Sequence, residues 1–149
     1  MALEEVITPE FNVLEFGAGG STIFFSHRCK SVKTYEWSPE WVDKVKEHLP
    51  NPSNVILICK GIMDTLESLK DEPKDYFDVI LVDNGPDYRC RLRVLNVIPS
   101  YLKAGGYLVV DNYSQRHIKN FSVQDWWVYI FDDIQYHGSG TKIFRRPPL

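Results

Sequence analysis

Cysteine is scarce in this sequence: Cys29, Cys59 and Cys90 are the only three, and no two have CxxC spacing. That is too few and too scattered for a disulfide framework or a zinc site. Basic charge is short as well, with 17 lysines and arginines against 20 acids and a net charge of −3. No broad positive field is available for nucleic acid, and Arg145-Arg146 is too short to make a local one. No apolar run approaches the length of a membrane span, so no membrane partner is expected. The opening MALEEVITPEF has no basic stretch leading into an apolar one, so no signal peptide is expected and the setting is read as cytoplasmic. The glycosylation-like Asn112-Tyr113-Ser114 and Asn120-Phe121-Ser122 then carry little weight. Internal repeats, low-complexity tracts and linkers are also missing. With 149 residues, 44% of them hydrophobic, the expectation is one domain with a real core.

What is present is alternation. Short apolar runs predict strands at residues 12–16, 31–37, 55–59, 77–82 and 107–110. Helix-like segments lie between them: residues 22–29, then a helix capped by Ser38-Pro39-Glu40 and stopped by Pro50-Asn51-Pro52, then 64–70. The last crossover carries Cys90, Val94, Val97, Ile98 and Tyr101 at spacings of three and four, which reads as a buried helical face closed by Lys103-Ala104-Gly105-Gly106. A further helix over residues 117–127 is predicted, then a hairpin of two strands near 129–137 and 141–145 joined by Gly138-Ser139-Gly140. VILIC and FDVILV are continuous rather than alternating, as in a parallel sheet covered on both faces. The predicted fold is therefore α/β: a doubly wound, mostly parallel seven-stranded sheet with a C-terminal antiparallel hairpin and helices on both faces.

In such a sheet, ligands bind at the carboxyl ends of the strands, near the switch in strand order. Those ends carry Glu15 and Gly17-Ala18-Gly19-Gly20-Ser21-Thr22 after the first strand, and Glu36-Trp37 after the second. Asp64 follows the third, Asp83-Asn84-Gly85-Pro86-Asp87 with Arg89 the fourth, and Asp111-Asn112-Tyr113 the fifth. The glycines let the backbone approach a ligand closely, and the helix after them offers N–H groups to a carboxylate. Glu36, 19 residues beyond Gly17, stands where a carboxylate accepts from both ribose hydroxyls. This much fits an NAD-type nucleotide enzyme as well as one using S-adenosylmethionine. Two details divide them. The dinucleotide pattern GxGxxG needs a glycine where Thr22 stands, and Glu15 adds a negative charge that suits a cationic ligand better than a pyrophosphate.

The run Glu15-Phe16-Gly17-Ala18-Gly19-Gly20-Ser21-Thr22 resembles the first motif of class I S-adenosylmethionine-dependent methyltransferases. Glu36 resembles that family's ribose-binding acid. YFDVILVD and LKAGGYLVVDN resemble its fourth and fifth strands, and the terminal hairpin its antiparallel last strand. The likeness spans residues 12 to 146. It implies that Glu15, Gly17 and Gly19 line the methionine end, that Ala18, Ser21 and Thr22 belong to the same cofactor site, and that Trp37 packs on the adenine. It also implies that Asp64 meets the adenine amino group and that Asp83 borders the cofactor.

The implied activity is methyl transfer, with the hydroxyl of a small molecule or saccharide as the favoured acceptor. A cofactor-binding but inactive subunit acting through a partner stands beside this reading. Asp83 is expected to be the key acid, with Asp87 and Arg89 shaping the acceptor pocket. Asp83, Asp111 and Asn112 offer hard oxygen ligands for magnesium, an arrangement that resembles the metal site of catechol-type O-methyltransferases. Those enzymes carry a lysine shortly after the fourth-strand acid, where this sequence reads Asn84-Gly85-Pro86-Asp87. His117 and Tyr113 lie where acceptors often sit in the family, and Trp126-Trp127 is read as half-buried packing or a partner surface. Only eleven residues precede the first strand, where the family usually carries cap helices. A second copy, a partner subunit or a large acceptor is therefore expected to complete the acceptor side.

Overall fold

The computed structural model describes residues 3–49, 53–131 and 140–149. Four β/α units and a fifth strand come first: β1 (Asn12–Phe16), α1 (Gly20–Ser26), β2 (Ser31–Glu36), α2 (Pro39–Glu47), β3 (Val55–Cys59), α3 (Ile62–Leu69), β4 (Phe77–Val82), α4 (Tyr88–Leu95) and β5 (Leu102–Asp111). β6 (Trp127–Phe131) and β7 (Thr141–Arg145) follow. The seven strands form one sheet in the order β3-β2-β1-β4-β5-β7-β6, parallel from β3 to β5 and antiparallel where β7 joins β5 and β6. The chain runs outward from β1 to β3 and then returns to the other side of β1. The crevice of the doubly wound fold therefore opens between the carboxyl ends of β1 and β4. The predicted architecture is the one observed.

Strand alternation divides the core. Leu14 and Phe16 of β1 pack with Ile80 and Val82 of β4 and with Leu69, Val94 and Leu95 of α3 and α4. Val13 faces the other way, with Val32, Val79, Val109 and Phe25 of α1. Glu15 shares Val13's face and is thereby sent under α1. Caps set the helix starts. Ser38 accepts from the Trp41 backbone N–H, Pro39 occupies the first turn, and Lys44 and Lys46 sit at the negative end of the α2 dipole.

Four local expectations are corrected. The buried face of α4 and the short 3₁₀ turn after it is Arg91, Val94, Leu95, Ile98 and Tyr101, whereas Val97 is 43% exposed and Cys90 only half-buried. The apolar reading set the helix phase wrongly because it passed over an arginine. Gly105 and Gly106 do not close a helix but lie inside the longer β5, next to its irregular register with β4. No helix spans 117–127: residues 112–126 run as successive turns, with Asp125 at φ 65°, and hold Ile118 and Phe121 against the core. The first and third helices begin two residues earlier than predicted, at Gly20 and Ile62. Pro50-Asn51-Pro52 and most of the predicted hairpin turn lie outside the described residues. Among the described residues, no helix is long and apolar enough to cross a membrane.

Candidate functional site

A cavity of about 690 Å³ opens at the carboxyl ends of β1, β2, β4 and β5, within the range of small-molecule sites. Gly17, Ala18, Gly19, Gly20 and Ser21 form one wall, and Glu36, Trp37, Ser38 and Trp41 a second. Leu81, Asp83, Gly85, Val109, Asp111 and Thr141 complete it. No lysine, arginine or histidine is among these residues, whereas three carboxylates are. The cavity thus repels anions and favours neutral or cationic ligands.

Gly17 is fixed by two requirements. Its φ is +93°, and a Cβ there would stand 2.4 Å from the Asp83 carbonyl oxygen. The β1 end is stitched to both neighbours at the same point, to β2 by Gly17 N–H donating to Tyr35 O at 2.8 Å and to β4 by Asp83 N–H donating to Phe16 O at 2.9 Å. Across the turn, the Ala18 and Ser38 backbone N–H groups donate to the two oxygens of Glu36, at 2.8 and 3.0 Å. Each oxygen has a further acceptor direction left for a ligand hydroxyl. Glu36 is nonetheless 94% buried, so its orientation is settled before any ligand arrives. The Trp41 indole N–H donates to Ala18 O and braces the same loop from α2. These residues fit the ribose end of a nucleoside-bearing cofactor.

Glu15, expected at the methionine end, does not reach the cavity wall. It is fully buried beneath the loop. Ser21, Thr22 and Thr34 hydroxyls all donate to its carboxyl group, the last at 3.0 Å, and Thr22 Oγ1 also accepts from Gly19 N–H. Thr22, itself buried, therefore links the loop to Glu15 rather than facing a ligand. Burial pushes the Glu15 carboxyl up from its ordinary 4.5 to about 7, against the lowering pull of the three hydroxyls. In the unfolded chain it ionises near 4.5, so the folded chain holds the proton longer. Stability from this group is full below pH 4.5 and is lost as pH rises toward 7, amounting to about 3 kcal/mol. Glu15→Gln is expected to flatten the stability–pH curve between pH 4.5 and 7 and to raise stability above pH 7. Urea titrations at several pH values would measure this, and an unchanged slope would refute it.

The β4 and β5 ends meet over a residue that sequence reasoning passed over. Arg91, 6% exposed, reaches up from α4. Its guanidinium donates to Asn84 O at 3.2 Å, Asp111 O at 2.7 Å and Asn112 Oδ1 at 3.2 Å, and stands 3.1 Å from Asp83 Oδ1. An arginine on an otherwise apolar i, i+3, i+4, i+7 stripe was the available signal. Asp111 Oδ1 accepts from the Thr141 hydroxyl at 2.9 Å, as the β5–β7 register, which sets Asp111 opposite Thr141, allows. Burial raises the Asp83 carboxyl from 3.8 to about 6; Arg91 opposes this, and the Asp111 carboxylate beside it adds to it.

Arg91 thus joins the three residues read as magnesium ligands. A cation already sits among Asp83, Asp111 and Asn112, and Asn112 spends its amide oxygen on it. Among the described residues, no three His, Cys, Asp or Glu side chains are grouped to hold a metal. Asp87 and Arg89, expected to shape the acceptor pocket, belong to the start of α4. Asp87 caps α4, accepting from Arg89 and Cys90 N–H at 2.8 and 3.0 Å, and these bonds hold its carboxyl below the usual range. Both residues are exposed, and neither lines the cavity. Asp64 is exposed in the first turn of α3 and also lies outside the cavity wall. His117 borders a separate surface groove along α4.

A family model described as a methyltransferase domain matches residues 14–113. No curated protein matches the chain in sequence. Solved structures of similar shape include a Streptococcus mutans protein assigned as a methyltransferase, in complex with SAH. It is 20% identical, has a TM-score of 0.72, and the match covers 96% of this chain and 92% of that one. An rRNA methylase from Streptococcus thermophilus is 17% identical with a TM-score of 0.72, covering 97% of this chain and 91% of its own. The N-methyltransferase NodS from Bradyrhizobium japonicum WM9 is 17% identical with a TM-score of 0.63, covering 92% and 86%. At these identities the likeness is one of fold.

Proposed function

The chain belongs to the methyltransferase-domain family, and from that premise we propose that it transfers the methyl group of S-adenosylmethionine to a hydroxyl of a small molecule or saccharide. The observation that carries the acceptor reading is the cavity wall: Asp83 and Asp111 at one end, Glu36 at the other, and no basic side chain among the described lining residues. Such a wall receives a cationic cofactor and a neutral acceptor, and it disfavours a polyanion such as RNA. When bound, the cofactor supplies an activated methyl carbon, so the protein's contribution is position, dryness and removal of the acceptor's proton. Glu36 holds the ribose hydroxyls, and Gly17, Gly19 and Ser21 leave room for the methionine end. Asp83, with its carboxyl raised to about 6, is ionised at neutral pH yet basic enough to take a proton. Arg91 keeps that carboxylate aimed into the cavity without a metal.

Calorimetric titration with S-adenosylmethionine and S-adenosylhomocysteine tests the cofactor half. Binding in the micromolar range is expected, weakened about 100-fold or more by Glu36→Ala through loss of two charge-assisted hydrogen bonds. Neither magnesium nor EDTA is expected to change binding or turnover. Absence of binding in every condition would overturn the reading. Radiolabelled methyl transfer to a panel of hydroxyl and amine acceptors tests the other half, and transfer to amines alone would replace the hydroxyl assignment.

A further inference from the structure

A strand inside a sheet reads as an apolar run, whereas a strand at the edge is guarded by charge, proline or a covering element. β6 reads as an interior strand but stands at the edge. Its five residues, Trp127-Val128-Tyr129-Ile130-Phe131, carry no charge, proline or glycine. Trp127, Val128, Ile130 and Phe131 are 48%, 44%, 54% and 39% exposed, and of the five Tyr129 alone packs on a core cluster. Both faces are open. Val128 and Ile130 share a side with Phe144 and Lys142, and Trp127 and Phe131 share the other with Arg145 and Thr141. β3, at the opposite edge, is sheltered by contrast. Val55 and Leu57 pack against Val45 and Leu49, and Ile58 joins Ile62 and Leu66 of α3 on the main core. Among the described residues, no strand pairs with the outer side of β6.

We propose that β6 pairs with β6 of a second copy, antiparallel about a two-fold axis at Tyr129, and so joins two seven-stranded sheets into one. The occupant follows from self-complementarity. About that axis Trp127 meets the partner's Phe131, and Val128 meets the partner's Ile130. These are aromatic and β-branched pairs of the kind that stabilise adjacent strands. The five-residue contact takes no charge out of water, so no desolvation penalty opposes it. At these exposures the four side chains present roughly 400 Å² per copy, and with the strand edges a pair buries roughly 1,000 Å², the lower bound of a specific interface. That size fits a reversible dimer rather than a permanent one. Pairing a strand with its own copy is isologous, so association closes at two. The pairing also reaches the candidate site. Phe131 pairs with Thr141, and Thr141, which pairs with Asp111, lines the cavity. The partner's Trp127, opposite Phe131, stands two strand spacings from Thr141, or about 10 Å, beside the cavity mouth.

Sedimentation equilibrium of the full chain over about 1–300 µM tests this, and a dissociation constant of about 1–100 µM is expected for the dimer. Ile130→Glu sets its carboxylate beside Lys142 of the same chain, so the monomer keeps its fold. In the dimer it buries that charge against the partner's Val128, at two symmetric places, and the dissociation constant should rise about 100-fold or more. Val128→Lys alone should weaken association comparably. The double variant sets an ammonium against each carboxylate in this register, and its dissociation constant should return to within about tenfold of wild type. Unfolding midpoints taken at the lowest concentration, where the chain is monomeric, should stay close to that of the wild type. A wild type monomeric throughout, a species that keeps growing beyond the dimer, a dimer unmoved by both single changes, or a double variant no tighter than the singles would each overturn the proposal.

Discussion

Replacing Arg91 with methionine is expected to lower the unfolding free energy by about 3–5 kcal/mol, the range for removing one partner of a buried charged network. The side chain is close in length and apolar, so the loss comes from what the guanidinium leaves behind rather than from a void. The Asn84 and Asp111 carbonyls and the Asn112 amide each lose a charged donor within 3.2 Å. Asp83 loses the cation paired with it, although its exposure lets water offset part of that loss. Arg91→Lys is expected to recover little, because one ammonium cannot fork to acceptors on three residues at and beyond the ends of two strands. The denaturation midpoint in urea should fall with an unchanged slope. A loss below about 1 kcal/mol would mean that water satisfies these groups and that Arg91 is dispensable to the fold. A second readout separates stability from tuning. Without the guanidinium, the Asp83 carboxyl should titrate above its present value of about 6.

Arg91 also marks the boundary of what the sequence discloses. The strands of the parallel part were legible because a parallel sheet covered on both faces writes itself as continuous apolar runs. The glycines, Glu36 and Trp37 were legible because they follow those runs directly, and the structure brings Gly17, Ala18, Gly19, Ser21, Glu36, Trp37 and Asp83 to one cavity. The missed features all depend on direction or phase, which spacing alone does not carry. Glu15 sits at the right place in the chain, but strand alternation turns it toward α1 and away from the cavity. Asp87 reads equally well as a rim acid or a helix cap, and only the two N–H groups pointing at it decide. Asp64 lies after the correct strand, yet α3 starts at Ile62 and carries it out to solvent. Arg91 was passed over because a charged residue was not allowed onto an apolar face. Its partners are carbonyls and side chains 7 to 21 residues away in sequence, which become visible only once β4 and β5 are paired. The same pairing places Thr141 opposite Asp111, a contact 30 residues apart. The turns of residues 112–126 escaped because Ile118, Phe121 and Trp126 meet the core from an irregular path that no periodic pattern marks.

Changing Asp83 to Asn is expected to lower turnover by about 10²- to 10⁴-fold, the usual worth of a positioned general base, while the dissociation constant for S-adenosylhomocysteine changes by about threefold or less. The substitution is nearly isosteric. An amide oxygen can still accept from Arg91, so the ends of β4 and β5 stay joined. What disappears is the charge and the capacity to take a proton. The pH profile distinguishes this from a packing defect. Burial and the neighbouring Asp111 hold the Asp83 carboxyl near 6, so lowering the pH through that value protonates it and removes the base. Wild-type activity should therefore fall as pH drops below about 6, and the residual activity of the variant should lack that limb. Asp111 is the natural rival, since it faces the same cavity, but its Oδ1 already accepts the Thr141 hydroxyl, which leaves it the less available oxygen set. If the variant keeps turnover within about tenfold of wild type, positioning alone carries the reaction. The acceptor would then be a nucleophile that arrives already deprotonated, and Asp83 would serve only to hold it.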